Sequence, residues 1–239
     1  MTKIDYGVDA PKVIRNLCLI AVVLFGSSVV FPVFRIGGIT INVLSFDLCC
    51  GSTCLLFGLL MLMYAKIGKF KHCDRMLKLI NWTGNETVLD IGTGRGLLMI
   101  GAAKKLSSGK SVGIDIWNKE DLSNNSAVKT MLNAELEGVK DRIEIKDENI
   151  LHTNFEDNFF DVVLTNLCLH NIYNKEGRMQ ACKEIHRILK PQGIAIISDF
   201  KHINEYKKEF LNSGMTVAKI GTFYFDTFPP LTIIKAVKN

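Results

Sequence analysis

The feature that most constrains the fold is the stretch T-V-L-D-I-G-T-G-R-G-L-L at 87–98. Its first three residues are typical of the end of a buried parallel strand, and Asp90 follows at the carboxyl end. Gly92, Gly94 and Gly96 then predict a tight turn into a helix, because glycine lets the chain bend sharply and lets a ligand approach bare backbone. The stretch therefore predicts a strand–turn–helix unit with a binding site at the turn.

The spacing of this turn, D-x-G-x-G-x-G, indicates the kind of ligand. It differs from the dinucleotide fingerprint G-x-G-x-x-G, because Leu97 stands where the third glycine would be. An acidic residue two places before the first glycine would repel a pyrophosphate and attract an ammonium group. We therefore expect a zwitterionic nucleoside without phosphate. The same reasoning argues against a nicotinamide-dependent oxidoreductase, which would use the same kind of sheet.

The glycine turn resembles the first motif of class I methyltransferases that use S-adenosylmethionine. Later stretches match that family in its order: V-G-I-D-I-W at 112–117, F-D-V-V-L-T at 160–165 and L-K-P-Q-G-I-A-I-I-S-D at 189–199. The resemblance covers about residues 66–239. It implies an α/β, Rossmann-like fold, with a doubly wound sheet of seven strands whose last strand is antiparallel. It also implies S-adenosylmethionine as the cofactor.

The excess of apolar residues lies before residue 66, in two uncharged runs at 16–34 and 48–65. Each run is long enough for a helix to cross a hydrocarbon core, so the pattern predicts a two-helix transmembrane hairpin. We therefore expect a tail at 1–15, the hairpin at 16–65, a linker helix at 66–81 and the methyltransferase domain at 82–239. A cleaved signal peptide fits poorly. A helical pair buried against the domain stays an alternative.

Positive charges flank the hairpin on its outer sides, whereas the loop inside it carries only Arg35. The flanking residues are Lys3, Lys12, Arg15, Lys66, Lys69, Lys71, Arg75 and Lys78. The positive-inside rule then places both termini, and the catalytic domain, in the cytoplasm. The linker helix at 66–81 is amphipathic. We expect its basic face to be solvated beside anionic headgroups rather than to serve a site.

The resemblance also assigns roles in cofactor binding to individual residues. The methionine portion falls to Asp90, Gly92, Thr93, Gly94 and Gly96. The residues that the resemblance assigns to the adenosine are Asp115 for the ribose and Ile116, Trp117, Asn149 and Ile150 for the adenine. The family has an aspartate where Asn149 stands. We therefore expect an uncharged acceptor there, with Asp147 as a substitute.

The stretch N-L-C-L-H-N-I at 166–172 follows the predicted fourth strand and supplies candidates beside the methionine portion and the acceptor. Asn166 is predicted to contact the cofactor, and His170 is the candidate catalytic base. A lone histidine at the start of a helix is also typical of a structural role, so both interpretations stay open. Asp199 ends the next strand at the same edge, as either a substrate contact or a polar strand end.

The sequence predicts two partners: the inner leaflet of a membrane, and a small or lipid-soluble acceptor. The acceptor class follows from the likeness of the later motifs to quinone- and sterol-type methyltransferases. Lysines and arginines are spread along the chain, so we expect no nucleic-acid partner. The cysteines lack zinc-ligand spacing, so we expect no metal site, with a soft-metal role for Cys49, Cys50 and Cys54 as the minor alternative. The alternative function is a non-catalytic, S-adenosylmethionine-binding membrane adaptor.

Overall fold

The structure is a computed structural model that describes residues 3–239. Two apolar helices come first, and a seven-stranded sheet with flanking helices follows. The helices are α1 (Pro11–Val30), α2 (Leu44–Met63), α3 (Lys69–Leu77), α4 (Leu97–Ala103), α5 (Ala127–Leu136), α6 (Lys175–Ile188) and α7 (Ile203–Asn212). The strands are β1 (Val33–Ile36), β2 (Ile39–Asn42), β3 (Thr87–Ile91), β4 (Lys110–Asp115), β5 (Ile143–Asp147), β6 (Phe160–Asn166), β7 (Leu189–Asp199), β8 (Thr216–Phe223) and β9 (Leu231–Val237).

Strands β3 to β9 form the large sheet, in the order β5-β4-β3-β6-β7-β9-β8. Neighbouring strands run parallel except at β9, which is antiparallel to both β7 and β8. The predicted sheet of seven strands with an antiparallel last strand is confirmed. The strand order reverses between β3 and β6, and in such sheets the crevice at this reversal, beyond the carboxyl ends of the strands, is where ligands bind.

Successive residues of the central strands pack on opposite faces of the sheet, as the pleat of a strand requires. Leu89 and Val163 lie in the core cluster that α6 and α7 cover. Val88 and Leu164 lie in the cluster that α3 and α4 cover. All four side chains are fully buried. Both faces of the sheet are therefore dry, which explains why its strands read as continuous apolar runs.

The first predicted span forms a helix, but this helix does not begin and end where the uncharged run at 16–34 does. Helix α1 begins earlier, at Pro11, because a proline fits the first turn of a helix without losing a hydrogen bond. It ends at Val30, because Pro32 disfavours helical backbone at Phe31. Strands β1 and β2 then form a short antiparallel hairpin that leads to α2.

The second predicted span and the predicted linker helix are one continuous helix. After α2 the backbone passes through a π-helical turn at Tyr64–Gly68 and enters α3 directly. The result is a helix of 34 residues from Leu44 to Leu77, termed here the long helix. Its first part is apolar, and its last part packs on the sheet.

Helices α1 and α2 pack against each other through small residues. A Cβ at Gly51 would lie 2.8 Å from the ring of Phe25, so only glycine allows this approach. The hydroxyl of Ser27 donates to Oδ2 of Asp47 at 2.6 Å and satisfies the acidic side chain of α2. In the most apolar 18-residue stretch of each helix, only 11 % of the stretch is buried in α1 and 22 % in the long helix. A helical pair buried against the domain therefore does not describe this structure.

The predicted tail packs on the domain that the large sheet forms. Asp5 accepts a hydrogen bond from Arg95 Nη1 at 2.9 Å, and the buried Tyr6 donates its hydroxyl proton to Glu137 Oε1 at 2.9 Å. A backbone bridge pairs Asp9 with Leu122. Residues 5–10, termed here the strap, therefore cross the edge of the sheet at which the glycine turn lies.

Candidate active site

The glycine turn has the conformation that its sequence predicts. Gly92 and Gly94 have φ angles of +71° and +54°, in the left-handed region that favours glycine. A Cβ at Gly92 would lie 2.5 Å from Sγ of Cys168, and one at Gly94 would lie 2.8 Å from Cδ2 of Leu122. Backbone conformation and space thus both exclude a larger residue. Gly96, with a φ of +87°, begins α4.

Two cavities meet at this turn. The large cavity, of about 390 Å³, lies at the carboxyl ends of β3, β4 and β6. The small cavity, of about 80 Å³, lies between the turn, the strap and the long helix. The residues that line both are Asp9, Gly92, Gly94, Leu122 and Asn166. The two cavities are therefore parts of one site.

Asp90 lines the small cavity and is only 2 % exposed. Its Oδ2 accepts hydrogen bonds from the Thr93 hydroxyl at 2.9 Å and from the Met99 amide at 3.0 Å. Burial raises the pKa of Asp90 to about 7, against the effect of these two hydrogen bonds, and the Asp115 carboxylate adds to the rise. A cation in the small cavity would favour the ionised form, which agrees with the ammonium group that the sequence predicts there.

Asp115 ends β4 and lines the large cavity. Its Oδ2 accepts a hydrogen bond from the Gly94 amide at 2.7 Å, and its Oδ1 accepts from the Trp117 amide at 2.6 Å. The side-chain amide of Asn125 donates to Oδ1 at 3.3 Å. These bonds fix the carboxylate beside the turn. An ionised carboxylate has about four acceptor positions, so capacity for a ribose hydroxyl remains.

Ile116, Asn149 and Ile150 line the large cavity, as the assignment to the adenine requires. Oδ1 of Asn149 accepts a hydrogen bond from the Leu151 amide at 3.0 Å, which orients the side chain. Asp147, the predicted substitute, instead accepts a hydrogen bond from the indole of Trp117. Neither Asp147 nor Trp117 is among the described residues that line the cavity.

Asn166 ends β6 at the point where the two cavities meet. Its Nδ2 donates to the hydroxyl of Tyr64 in the long helix at 3.3 Å. Its Oδ1 is buried and has no hydrogen-bond partner among residues 3–239. Leaving a buried acceptor unpaired costs roughly 1–3 kcal/mol, so this oxygen is suited to a donor on a bound molecule.

His170 lies in the short helical turn that follows β6. Its backbone amide donates to Oδ2 of Asp199 at 3.2 Å, and its Nδ1 lies 2.8 Å from Oδ1 of the same carboxylate. Its ring packs edge-on against Phe200. Cys168 and Asn171 line the large cavity, whereas His170 is not among the described residues that do. The structure therefore brings His170 and Asp199 together, in an arrangement suited to orienting the loop after β6.

The strap and the long helix also contribute residues to the site, and none of these was among the predicted site residues. Asp9, Tyr64 and Lys69 line the small cavity. The prediction that the basic face of the linker helix is solvated is wrong for Lys69, whose side chain is 5 % exposed. Its Nζ donates to the carbonyl oxygens of Tyr6 at 2.8 Å and Gly7 at 2.7 Å, and to Oδ2 of Asp9 at 3.3 Å. No sequence pattern indicates that two opposite charges 60 positions apart form an ion pair.

Burial acts on both members of this pair. It raises the pKa of Asp9 and lowers the pKa of Lys69, and the attraction between the two groups opposes both shifts. About a third of the Asp9 side chain is exposed. Because Asp9 lines both cavities, this exposed part faces the site. The strap thus places a carboxyl group where the two cavities meet.

Comparison with known proteins identifies the family. A family described as a methyltransferase domain matches residues 83–224. The chain belongs to this methyltransferase domain family. It is 33 % identical over 141 residues to the sterol 4-C-methyltransferase strm-1 of Caenorhabditis elegans, covering 59 % of the chain and 39 % of that protein. It is 31 % identical over 129 residues to the 2-phytyl-1,4-naphtoquinone methyltransferase of Nostoc sp., covering 52 % of each. The methyltransferase thus spans about half or less of these relatives.

Solved structures show the same fold. The magnesium protoporphyrin IX methyltransferase of Synechocystis, solved with bound SAH, aligns with a TM-score of 0.59 and 15 % identity, covering 74 % of this chain and 86 % of that one. An S-adenosylmethionine-dependent methyltransferase of Aquifex aeolicus aligns with a TM-score of 0.55 and 18 % identity, covering 70 % and 89 %. The chain thus has a methyltransferase domain by family and shares the fold of these two solved structures.

The residues present fit S-adenosylmethionine. The bare backbone at Gly92 and Gly94 allows a close approach, Asp115 keeps capacity for a hydroxyl, and Asn166 offers an unpaired acceptor. The small cavity has carboxyl groups at Asp9 and Asp90, which suit an ammonium group. The site thus combines a small cavity that contains charged groups with a larger cavity lined by both apolar and polar side chains.

Proposed function

We propose that this methyltransferase is anchored in a membrane and methylates a small, lipid-soluble acceptor. The observation that carries the proposal is the long helix, because its apolar first part is mostly exposed and its second part lines the small cavity through Tyr64 and Lys69. A helix that leaves a bilayer and runs into the site holds that site at the membrane surface. The acceptors named for the sterol and naphthoquinone methyltransferases support the same class of molecule.

In this proposal the adenosine lies in the large cavity and the methionine portion in the small one. Asp115 accepts hydrogen bonds from the ribose, and Ile116 and Ile150 contact the adenine, with Asn149 at its edge. The amino-acid group is held by the turn backbone, with Asp90 and Thr93 beneath it. Asn166, at the junction of the cavities, accepts a hydrogen bond through Oδ1. Each of these residues lines the cavity in which it is given a role.

When bound, S-adenosylmethionine supplies an electrophilic sulfonium methyl group. The chain then has to align the acceptor and exclude water from it. The part of the large cavity beyond Asn166 suits an apolar acceptor, because Leu167, Cys168 and Ile172 form its wall. Asp121 and Glu148 also line this cavity and can take a proton from an acceptor hydroxyl. His170, paired with Asp199, stays the alternative candidate for the base.

Binding is tested by calorimetric titration of the detergent-solubilised full chain with S-adenosylmethionine. We expect saturable binding that Asp115→Asn weakens about 10- to 100-fold, since hydrogen bonds to a charged group contribute about 1.5–3 kcal/mol. Asp147→Asn is the matched control, because Asp147 pairs with Asp115 across β4 and β5 but does not line the cavity. Equal weakening by both variants would contradict the assignment.

Methyl transfer is tested with the full chain in phospholipid vesicles and a cofactor that carries a labelled methyl group. The acceptors offered are a demethylated prenyl quinone, a sterol and a water-soluble catechol. We expect label in the solvent-extractable fraction with a lipid-soluble acceptor. Transfer to the catechol alone would contradict a lipid-soluble acceptor. Binding without transfer to any of them would favour the non-catalytic adaptor.

A further inference from the structure

The loop between β8 and β9, residues 224–230, lies at the same edge of the sheet as the site. Strand β8 runs parallel to β7, because both are antiparallel to β9 between them. Its carboxyl end at Phe223 therefore lies at the edge where β7 ends at Asp199 and β6 ends at Asn166. The loop, termed here the β8–β9 loop, thus lies at the same edge of the sheet as the cavities, at a strand three positions from β6.

This loop exposes aromatic side chains at its tip. Phe225 is 97 % exposed and Tyr224 is 66 % exposed. Large adjacent aromatic groups that face water mark an interaction surface. Tyrosine is also enriched where proteins meet the interface of a membrane.

The base of the loop is held against the long helix. The ring of Phe228 packs on that of Phe57, with centroids 5.2 Å apart. Arg75 forms an ion pair with Asp226. Helix and loop also touch at Gly68, where a Cβ would overlap the carbonyl oxygen of Asp226. The contacts therefore extend from Phe57 to Arg75 along the helix.

These contacts set the height of the loop relative to the apolar part of the long helix. Phe57 lies inside the uncharged run at 48–65, and at a rise of 1.5 Å per residue it is about 12 Å from the carboxyl end of that run. A bilayer that covers the whole run would also cover Phe228. The loop and the membrane surface must therefore lie at the same level.

We propose that the β8–β9 loop inserts Tyr224 and Phe225 into the interface of the bilayer beside α2. The inference rests on the membrane anchoring of the hairpin and adds a second, separate contact with lipid. With the hairpin as the only contact, the domain and the long helix could still tilt together relative to the bilayer. With the loop inserted, the edge of the sheet that carries both cavities is held against the bilayer, which gives a lipid-soluble acceptor a short path to the site.

The test uses the full chain with an added tryptophan, reconstituted in phosphatidylcholine–phosphatidylglycerol vesicles with brominated acyl chains. Phe225→Trp reports the loop, with Tyr224→Trp as a second variant. Leu211→Trp is the control, because it is exposed near the end of α7, which runs from the carboxyl end of β7 to the opposite edge of the sheet. Emission from the native Trp82 and Trp117, measured in the parent chain, is subtracted.

We expect brominated lipid to quench at least half of the added emission in the two loop variants, while iodide in the buffer has little effect. Leu211→Trp should show the reverse. Co-flotation with vesicles is measured on the same samples. Flotation without quenching in either loop variant would overturn loop insertion and leave the anchor intact. Failure to float would overturn the anchor, and loop insertion with it.

Discussion

The ammonium group of Lys69 lies 3.3 Å from Oδ2 of Asp9 and donates to two carbonyl oxygens of the strap. Asp9 lies just before α1, and Lys69 follows α2 and begins α3. One buried cation therefore joins the two ends of the apolar hairpin at the wall of the small cavity. The closure of the site depends on this contact.

Lys69→Met should release the strap. The variant costs about 1.5–3 kcal/mol, because the carbonyl groups and the partly exposed Asp9 lose a charged hydrogen-bond donor. We expect a fall of that size in the unfolding free energy of the detergent-solubilised chain. We also expect at least tenfold weaker binding of S-adenosylmethionine, because the small cavity loses a wall.

Lys71→Met is the matched control for this variant. Lys71 lies two residues further along the same helix and is exposed. Its replacement should change the unfolding free energy by less than about 0.5 kcal/mol, as surface substitutions usually do. Equal effects of the two variants would show that the Lys69 pair is not what closes the cavity.

The stability of the parent chain should fall as the pH rises towards 7, through Asp90. Its native pKa is about 7 and its ordinary value is 3.8, so between these values the native state holds a proton that the unfolded state has lost. The free energy of unfolding therefore decreases with rising pH in this window, by up to about 1.4 kcal/mol per unit, and levels off above it. Denaturant titrations from pH 5 to 8 measure this slope.

Asp90→Asn should remove the Asp90 component of that slope, because the amide does not titrate. Asp147→Asn, at an exposed strand end, should keep the parent slope. If parent and Asp90→Asn show the same pH dependence, burial does not set the pKa of Asp90 as described.

Gly92→Ala should distort the glycine turn. Gly138→Ala is the control that separates the cost of backbone strain from the cost of steric overlap. Both glycines have nearly the same φ, +71° and +70°, but a Cβ at Gly138 meets nothing within 4 Å. Gly138→Ala should therefore cost about 1 kcal/mol from backbone strain alone. Gly92→Ala should cost about 1–3 kcal/mol more, because its Cβ would collide with Cys168. It should also lose detectable binding of S-adenosylmethionine, whereas equal stability and binding would contradict the close approach.

His170→Asn tests whether His170 is a base or a positioning residue. Loss of a general base lowers the rate of the chemical step about 10²- to 10⁴-fold and changes the pH–rate profile. Because His170 is not among the described residues that line the cavity and its Nδ1 faces Asp199, we expect less than a tenfold loss of kcat and a pH profile like that of the parent. A loss above a hundredfold with a flattened profile would establish the predicted catalytic role.

Much of the fold could be predicted from local sequence, because each element depends on near neighbours. The short apolar run at β3, the glycine turn and the two long uncharged runs define their own structures. Helix limits were less predictable. The uncharged run at 16–34 marks where charge is absent, whereas α1 is delimited by Pro11 and Pro32. The absence of charge indicates which residues can lie in an apolar environment, whereas the prolines determine where the helix begins and ends.

The part of the site that could be predicted lies on strand ends, where topology brings Asp90, Asp115 and Asn166 to one edge. The other part depends on contacts between distant segments. Asp9 and Lys69 face each other because the hairpin folds back on itself, and no local pattern encodes that return. The π-helical turn at Tyr64–Gly68, which joins α2 to α3 without a break, likewise has no sequence pattern that we recognised.

The path of the strap has a practical consequence for dissecting this enzyme. A chain shortened to begin at residue 66, the obvious route to a water-soluble form, would lose Tyr6, Asp9 and Tyr64 together with the apolar helices. All three line the small cavity. If such a fragment were inactive, the cause would be the loss of residues that line the small cavity, and the result would say nothing about whether activity needs lipid. Sound dissection keeps residues 5–10 and the helix from Tyr64 onward, and exchanges only the apolar segments between them for a soluble connector.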